Sequence, residues 1–482
     1  MVFDLTPRLP THRPLLWPDW ILDLQEILAQ EDGLPEIYIV GGAARDALLR
    51  RPVKDVDLAT PTNAIRLARR ITDLLNGDIY VMDEERGVAR VFFRAPQNPS
   101  GAEELLTLDI ADFRADSLLN DLLERDFTLN AIAVNFLDDL TRIIDPLNGE
   151  ADANSHILRR CNPNALASDP IRCLRGVRQS VQLGTRIEPE TLADMRRLAP
   201  KITDTSPERI RDELFNLLAL ERPFSGLRVA KAVGVLDAIL PTVAALSNDE
   251  WLLALNATER LTNIVLAISF RRTEDTAAVF DLGMLVMQFD RYREPLNQYI
   301  FEKWPNNRSN RGLLLLATLA YHVGPKKQIA SQIADTLRLS APEKKRLVGY
   351  VLAAQVVINM TSTDVLTLHR YWYRWQEAGI GGILIALASA RASYNLELQQ
   401  NLWLQLIDRA RALLSAYYDL HDEIVAPSLL VDGHMLKEHL NITDGPIIGE
   451  LLTLIREGQV TGDVTTPEHA IQLASEHLSS QG

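Results

Sequence analysis

The chain has 482 residues, 47% of them hydrophobic and 24% charged, and carries a formal net charge of −14. That length suffices for about three domains with cores of their own, and the negative charge argues against a protein that coats nucleic acid nonspecifically by neutralising phosphates. Only two cysteines are present, Cys161 and Cys173, outside any CxxC pair, which argues against a disulfide framework or a cysteine-based zinc site and in favour of two buried thiols.

The first twenty residues, MVFDLTPRLPTHRPLLWPDW, interrupt any apolar core with prolines and charges, and no later run nears the roughly 20 apolar residues of a membrane span. A cytoplasmic location is expected. After an N-terminal segment (1–30), residues 31–150 alternate short β-rich runs with helical ones. The strand candidates are EIYIV, KDVDLAT, GDIYVMD, GVARVFF, LLTLDIA, AIAVNF and TRIID. APQNPSG (95–101) reads as a surface loop joining two of them. Beyond residue 150 the pattern turns almost wholly helical. Punctuation near Gly149, at ERPFSG (221–226) and at Pro427 divides it into a neck (151–225), a body (226–426) and a tail (427–482). The expected class is α+β, with a small mixed-sheet head and a long helical remainder.

In YIVGGAARDALLRRPVKDVDLAT a strand runs into Gly41 and Gly42 and then into a helix near Ala43, a turn whose unpaired N–H groups can face an anion. A plain tight turn gives the same pattern. Further on, Asp55 and Asp57 stand two apart on a strand, so they share one face while Val56 and Leu58 take the other. Adjacent carboxylates repel, and hard divalent cations such as Mg²⁺ relieve that repulsion. Asp109, on another strand, is a candidate third ligand, with a solvent-facing role as the alternative.

In ERDFTLNAIAV, Arg125 and Asp126 precede a short turn that Thr128 and Asn130 can cap or brace. Two readings stay open: a phosphate or ribose contact by Arg125 oriented by Asp126, or a local ion pair. In SDPIRCLRGVRQS, Asp169, Arg172, Arg175 and Arg178 recur every three residues as a drifting helical stripe opposite Ile171, Leu174 and Val177. Between Leu158 and Arg211 there are eleven Lys/Arg against six Asp/Glu. If a polyanion binds, it binds there.

Six motifs now stand in order: GGAARD, DVDLAT, RDFTLNAIAV, DPLNG, SDPIRCLRGVR and SPERIRDEL. Together, over residues 36–240, they resemble the class II tRNA nucleotidyltransferase and bacterial poly(A) polymerase family, with a fainter likeness in the tail. The resemblance implies a polymerase-β-like head that adds CMP and/or AMP from CTP or ATP to the 3′ end of an RNA, tRNA foremost. It implies two Mg²⁺ ions on Asp55 and Asp57, and phosphate contact through Gly41, Gly42 and Arg45, with Asp46 fixing Arg45. Arg125 and Asn130 would contact the incoming nucleotide, Asp169 and Arg172 its base, and Arg175 and Arg178 its phosphates. Asp126, Glu208 and Arg209 would give structural support, and the tail would touch RNA.

The base reading also follows from hydrogen-bond chemistry. Cytosine and adenine present an amino donor beside a ring-nitrogen acceptor, whereas uracil and guanine present a carbonyl beside an N–H. Asp169 only accepts and Arg172 only donates, so the pair matches C and A.

The chain departs from the family pattern in three places: Ser168 stands where Glu is usual, Glu124 stands where Arg is frequent, and the stretch from DIADFR to NDLLERDF is short. CC-adding, A-adding, full CCA-adding and poly(A) activities therefore remain open, as does a noncatalytic RNA-binding protein, which the intact Asp pair disfavours. The body stretch LLLLATLAYHVGPKK has Val323 after His322, which argues against a metal phosphohydrolase centre, and His421-Asp422 reads as surface.

Overall fold

The computed structural model describes residues 8–53, 55–94, 105–269, 280–394 and 396–481. The expected loop at 95–101 lies outside the described residues. The chain divides into two compact units, one running to Ser206 and including Ala232–Val235, the other formed by Pro207–Lys231 and everything from Leu236 onward.

The first unit is built on an eight-stranded mixed sheet: β1 (Arg8–Pro10), β2 (Tyr38–Val40), β3 (Asp55–Thr60), β4 (Asp78–Asp83), β5 (Val88–Arg94), β6 (Leu105–Asp112), β7 (Ala133–Asn135) and β8 (Arg142–Ile144). Their order is β1-β8-β7-β2-β3-β6-β5-β4, with β3 and β6 parallel and the other pairs antiparallel. All seven head strands read from the sequence form. Alternation sets their faces: Val56 and Leu58 are buried and Asp55 and Asp57 exposed, as a two-residue period requires.

Residues 8–30 are part of this unit. β1 adds an edge strand, and helix α1 (Asp19–Ala29) buries Ile21, Leu24 and Leu28. Trp17 Nε1 and Gln25 Nε2 donate to the carbonyls of Leu140 and Asp138. Helix α2 (Gly42–Leu48) follows β2 directly, and α3 (Ala64–Leu75) packs Leu67, Ala68 and Ile71 inward. Short α4 (Leu118–Leu123) completes a cluster of Tyr38, Val40, Ala59, Leu118, Leu122, Ala131 and Ala133 beneath the site described below. Helices α5 (Gly149–Asn154) and α6 (Ile171–Leu183) follow. A two-stranded parallel pair, β9 (Ile157–Leu158) with β10 (Arg186–Ile187), interrupts the expected all-helical neck; two residues per strand are too few to show a period.

The seam between the units falls at 206/207, inside the expected neck. The reason lies in helix Pro207–Leu218, whose C-terminal carbonyls at Leu218, Ala219 and Leu220 accept from Arg311 of the body at 3.0–3.2 Å. Within the second unit, helix Ala341–Asn359 packs on Ala378–Ser393. Arg308 grips the buried Glu343 with two bonds of 2.8 and 2.9 Å. The tail has a small core of its own around Val431, Leu436, Leu451, Ile455 and Val464.

Candidate active site

β3 presents Asp55 and Asp57 side by side on its exposed face. Thr107 Oγ1 donates to Asp55 Oδ1 at 3.3 Å, whereas the Asp57 carboxylate has no hydrogen-bond partner among the described residues. Asp57 keeps solvent access but sits deep among surrounding protein atoms. That burial, reinforced by the neighbouring charge of Asp109, pushes its pKa above the ordinary carboxylate value, while Arg125, Arg175 and Arg114 pull it down. An unpartnered, crowded carboxylate beside a second one is a donor set suited to a divalent cation. Asp109 lies in register beside Asp57, but Arg90 holds both its oxygens at 2.6 and 2.7 Å. Among the described residues no group of three acidic, histidine or cysteine side chains gathers into a metal site. The expected third ligand is thus engaged in an ion pair, because Arg90 faces it directly across the β5–β6 ladder.

Gly41 makes the turn above this pair at φ +70° and ψ −129°, a conformation glycine adopts without a Cβ clash. A Cβ there would stand 3.2 Å from Arg125 Nη1 and 3.4 Å from Asp57 Oδ2, so the glycine leaves room for a guanidinium and a carboxylate to border the same turn. One residue on, Gly42 opens α2. Arg45 does not reach outward from it. Its buried guanidinium donates to both oxygens of Asp46 at 2.9 and 3.0 Å and to Asn130 Oδ1 at 2.6 Å. It braces the turn from inside.

Asn130 continues the network, donating to Asp126 Oδ1 and to Gln179 Oε1, both at 2.9 Å. Asp126 also accepts from Phe127 N at 2.9 Å and pairs through Oδ2 with Arg175 Nε at 2.9 Å. These partners hold its carboxyl below its ordinary value even though burial opposes them as the largest single influence. The expectation that Asp126 orients Arg125 is therefore replaced. Arg125 is held by Asp121, whose Oδ2 accepts from Nε at 3.0 Å and Nη2 at 2.8 Å. The two stand four residues apart at the end of α4, where side chains share a face. Thr128 braces too, donating to Asp152 at 2.8 Å, and no side chain caps the 128–130 turn.

α6 carries the arginine stripe. Its apolar side buries Ile171, Leu174 and Val177, and Gly176 packs where a Cβ would come 2.7 Å from Phe127 Cζ, which draws the helix onto the Arg125–Asn130 segment. Arg172 Nη1 donates to the carbonyls of Ala165 at 2.8 Å and Arg125 at 3.4 Å, so the base-reading candidate and the Arg125 backbone are tied together. Asp169 lies half-buried just before the helix, and Arg178 donates to Gln182 Oε1 at 2.8 Å. Glu208 and Arg209 belong to the second unit, where Glu208 pairs with Arg338 at 3.0 Å.

The chain is similar to known proteins over most of its length. Residues 37–159 match the poly A polymerase head domain, and residues 184–246 match the probable RNA- and SrmB-binding site of polymerase A. A CC-adding tRNA nucleotidyltransferase of Synechocystis sp. is 30% identical over 92% of this chain and 94% of its own length. The chain belongs to the tRNA nucleotidyltransferase and poly(A) polymerase family. An A-adding tRNA nucleotidyltransferase of Deinococcus radiodurans is 28% identical over 90% of this chain and 94% of its own. Among solved structures, an apo CCA-adding enzyme shares the fold at TM-score 0.65 and 19% identity, covering 96% of this chain and 95% of its own.

Within this nucleotidyltransferase two residues escaped the sequence reading. Asp121 sits in NDLLER, which looks like any amphipathic turn, yet it is buried and clamps both Arg125 and the backbone N–H of Arg114, the latter at 3.0 Å. Arg114 keeps solvent access but is crowded by surrounding protein and has no side-chain hydrogen bond among the described residues; that crowding, with the charges of Arg125 and Arg172, lowers its pKa. The spacing Arg114, Asp121, Arg125 was the available signal. In the body, His322 Nε2 lies 3.1 Å from Ser389 Oγ, and burial with Lys326 nearby lowers its pKa to about 4. No helix among the described residues is long and apolar enough to cross a membrane.

Proposed function

We propose that this nucleotidyltransferase adds CMP and/or AMP, without a template, to the 3′ end of tRNA, with Asp55 and Asp57 holding two Mg²⁺ ions. The observation that carries the reading is the crowded, unpartnered Asp57 carboxylate flanked by Asp55 and faced by Arg114, Arg125 and Arg175. Divalent cations bound there would supply activation of the RNA 3′ hydroxyl and charge balance for the departing pyrophosphate.

The chain's own groups do the positioning. The Gly41–Gly42 turn and Arg125 take the triphosphate, Asp121 keeps Arg125 aimed, and the Arg45–Asn130–Asp126 network fixes the turn against α6. Asp169 accepts the amino group of cytosine or adenine and Arg172 donates to the ring nitrogen, each contact contributing ~1–3 kcal/mol of discrimination. The full-length similarity to CC-adding and A-adding enzymes supports partial synthesis of the CCA end, with CC addition favoured by the 30% identical relative.

The test is incubation of purified protein with Mg²⁺, each labelled NTP, and tRNAs ending before C, before CC and before the final A. The expected outcome is CMP addition to the first, with UTP and GTP poorly used. Equal use of UTP and CTP would sink the Asp169/Arg172 assignment. Long AMP tracts on unrelated RNAs would replace this reading with poly(A) polymerase.

A further inference from the structure

On the open face of the head sheet, strand register sets three charged side chains in one row. Asp57 on β3 stands beside Asp109 on β6, and Asp109 faces Arg90 on β5. Neighbouring strands lie about 4.8 Å apart, so the row spans about 10 Å. Among charged groups, Asp109 acts most strongly on Asp57. By position it is the carboxylate placed to join the Asp55–Asp57 pair on a cation, yet Arg90 holds both its oxygens at 2.6 and 2.7 Å. That forked geometry fixes the plane of the carboxylate and neutralises its charge.

The pair is poorly placed to serve as a brace. The side chains of Arg90 and Asp109 are 38% and 30% exposed, and ion pairs so open to water contribute little to stability. What Arg90 does control is charge. The hydrogen bond to Asp109 is its strongest tie, and the charges of Asp109, Asp55 and Asp57 all act on it as well. One guanidinium thus stands in the field of all three carboxylates of the site.

We propose that Arg90 is a positioning residue that withholds Asp109 from the catalytic cations, so that the metal site is built on two carboxylates and completed by oxygens of the nucleotide's phosphates. The inference rests on the reading of Asp55 and Asp57 as the metal pair. Hard divalent cations bind more tightly as charged oxygen ligands are added, and a fixed positive charge nearby opposes them directly. The free enzyme therefore holds such a cation weakly, and the triphosphate brings the missing ligands with it. Freed from Arg90, Asp109 would make a three-carboxylate site that loads without nucleotide.

The experiment measures cation binding to the full chain in the absence of nucleotide and RNA. Mn²⁺ affinity is taken by calorimetry, and the waters on bound Eu³⁺ are counted from luminescence decay in H₂O and D₂O. Arg90→Gln should tighten Mn²⁺ binding by about tenfold and remove about one or two waters from the bound ion as Asp109 enters. Arg90→Gln/Asp109→Asn, which leaves two neutral amides in place of the ion pair, should return both readings close to wild type. With CTP present, the difference between Arg90→Gln and wild type should shrink. Unchanged affinity in folded Arg90→Gln would overturn the proposal. So would tighter binding with an unchanged water count, since that is the effect of a lost charge without a gained ligand. Asp57→Asn, measured alongside, separates the two readings: Mn²⁺ binding that survives it would sink the Asp55/Asp57 pair itself, whereas binding lost there and unmoved in Arg90→Gln would overturn only the role of Arg90.

Discussion

Asp121→Asn perturbs the clamp on Arg125 while keeping the side chain's volume. In the native protein Oδ2 of Asp121 takes two guanidinium bonds at 3.0 and 2.8 Å, and Oδ1 takes the Arg114 amide at 3.0 Å. Asparagine has one carbonyl oxygen, so it keeps either the guanidinium or the amide and turns an NH₂ donor towards the other. At about 1.5–3 kcal/mol for a hydrogen bond to a charged group, the expected loss is about 2–3 kcal/mol. Arg125 has a competing carboxylate at hand, because its Nη1 and Asp57 Oδ2 both border the Gly41 turn. Released, it turns towards Asp57 and away from the triphosphate. The expected result is a fall in kcat/KM for CTP of about 30- to 150-fold. The assay is initial-rate incorporation of labelled CMP into tRNA lacking its 3′ end, with the unfolding midpoint of each variant measured alongside. Asp121 acts through Arg125, so Asp121→Asn/Arg125→Gln should be little worse than Arg125→Gln alone. A kcat/KM within threefold of wild type, or a double variant whose loss is the product of the two single losses, would refute the clamp.

Other outcomes follow from the same geometry. Gly41→Ala places a methyl group 3.2 Å from Arg125 Nη1 at φ +70°, and should cost about 1–3 kcal/mol of stability together with a 10-fold or greater loss of rate, checked by urea unfolding and incorporation. Asp57→Asn should raise the thermal midpoint at pH 7 even as it removes activity. A carboxylate whose folded pKa is raised destabilises the fold once ionised. The gain should therefore be present above the folded pKa and vanish as the pH falls towards the ordinary value of 3.8, as melting curves over that range will show. Asp169→Asn should relax discrimination against UTP by about 10- to 100-fold in competition assays.

Much of the head was legible because strands carry a two-residue period. KDVDLAT declared its buried and exposed faces by alternation, and with them the placement of Asp55 and Asp57. Pairing was less legible, since a ladder joins residues remote in sequence. Asp109 reads either as a third ligand or as a solvent-facing strand residue, and nothing local to it announces Arg90, which stands opposite it on β5 and takes its oxygens. Asp126 reads as the partner of its neighbour Arg125, yet it turns to Arg175, forty-nine positions away, because α6 is drawn onto Phe127 at Gly176. β9 and β10 are too short to declare a period, and the seam at 206 depends on Arg311 capping a helix about ninety residues upstream.

The most direct test of the central assignment is incorporation of labelled CMP and AMP into tRNA lacking its 3′ end by wild type, Asp55→Asn and Asp57→Asn over a Mg²⁺ titration, with folding verified for each. Two carboxylates that share the catalytic cations predict that each variant loses about 10³-fold or more at saturating Mg²⁺, corresponding to several kcal/mol of transition-state stabilisation. Activity within tenfold of wild type in either folded variant would contradict the assignment of Asp55 and Asp57 as the residues that carry nucleotidyl transfer.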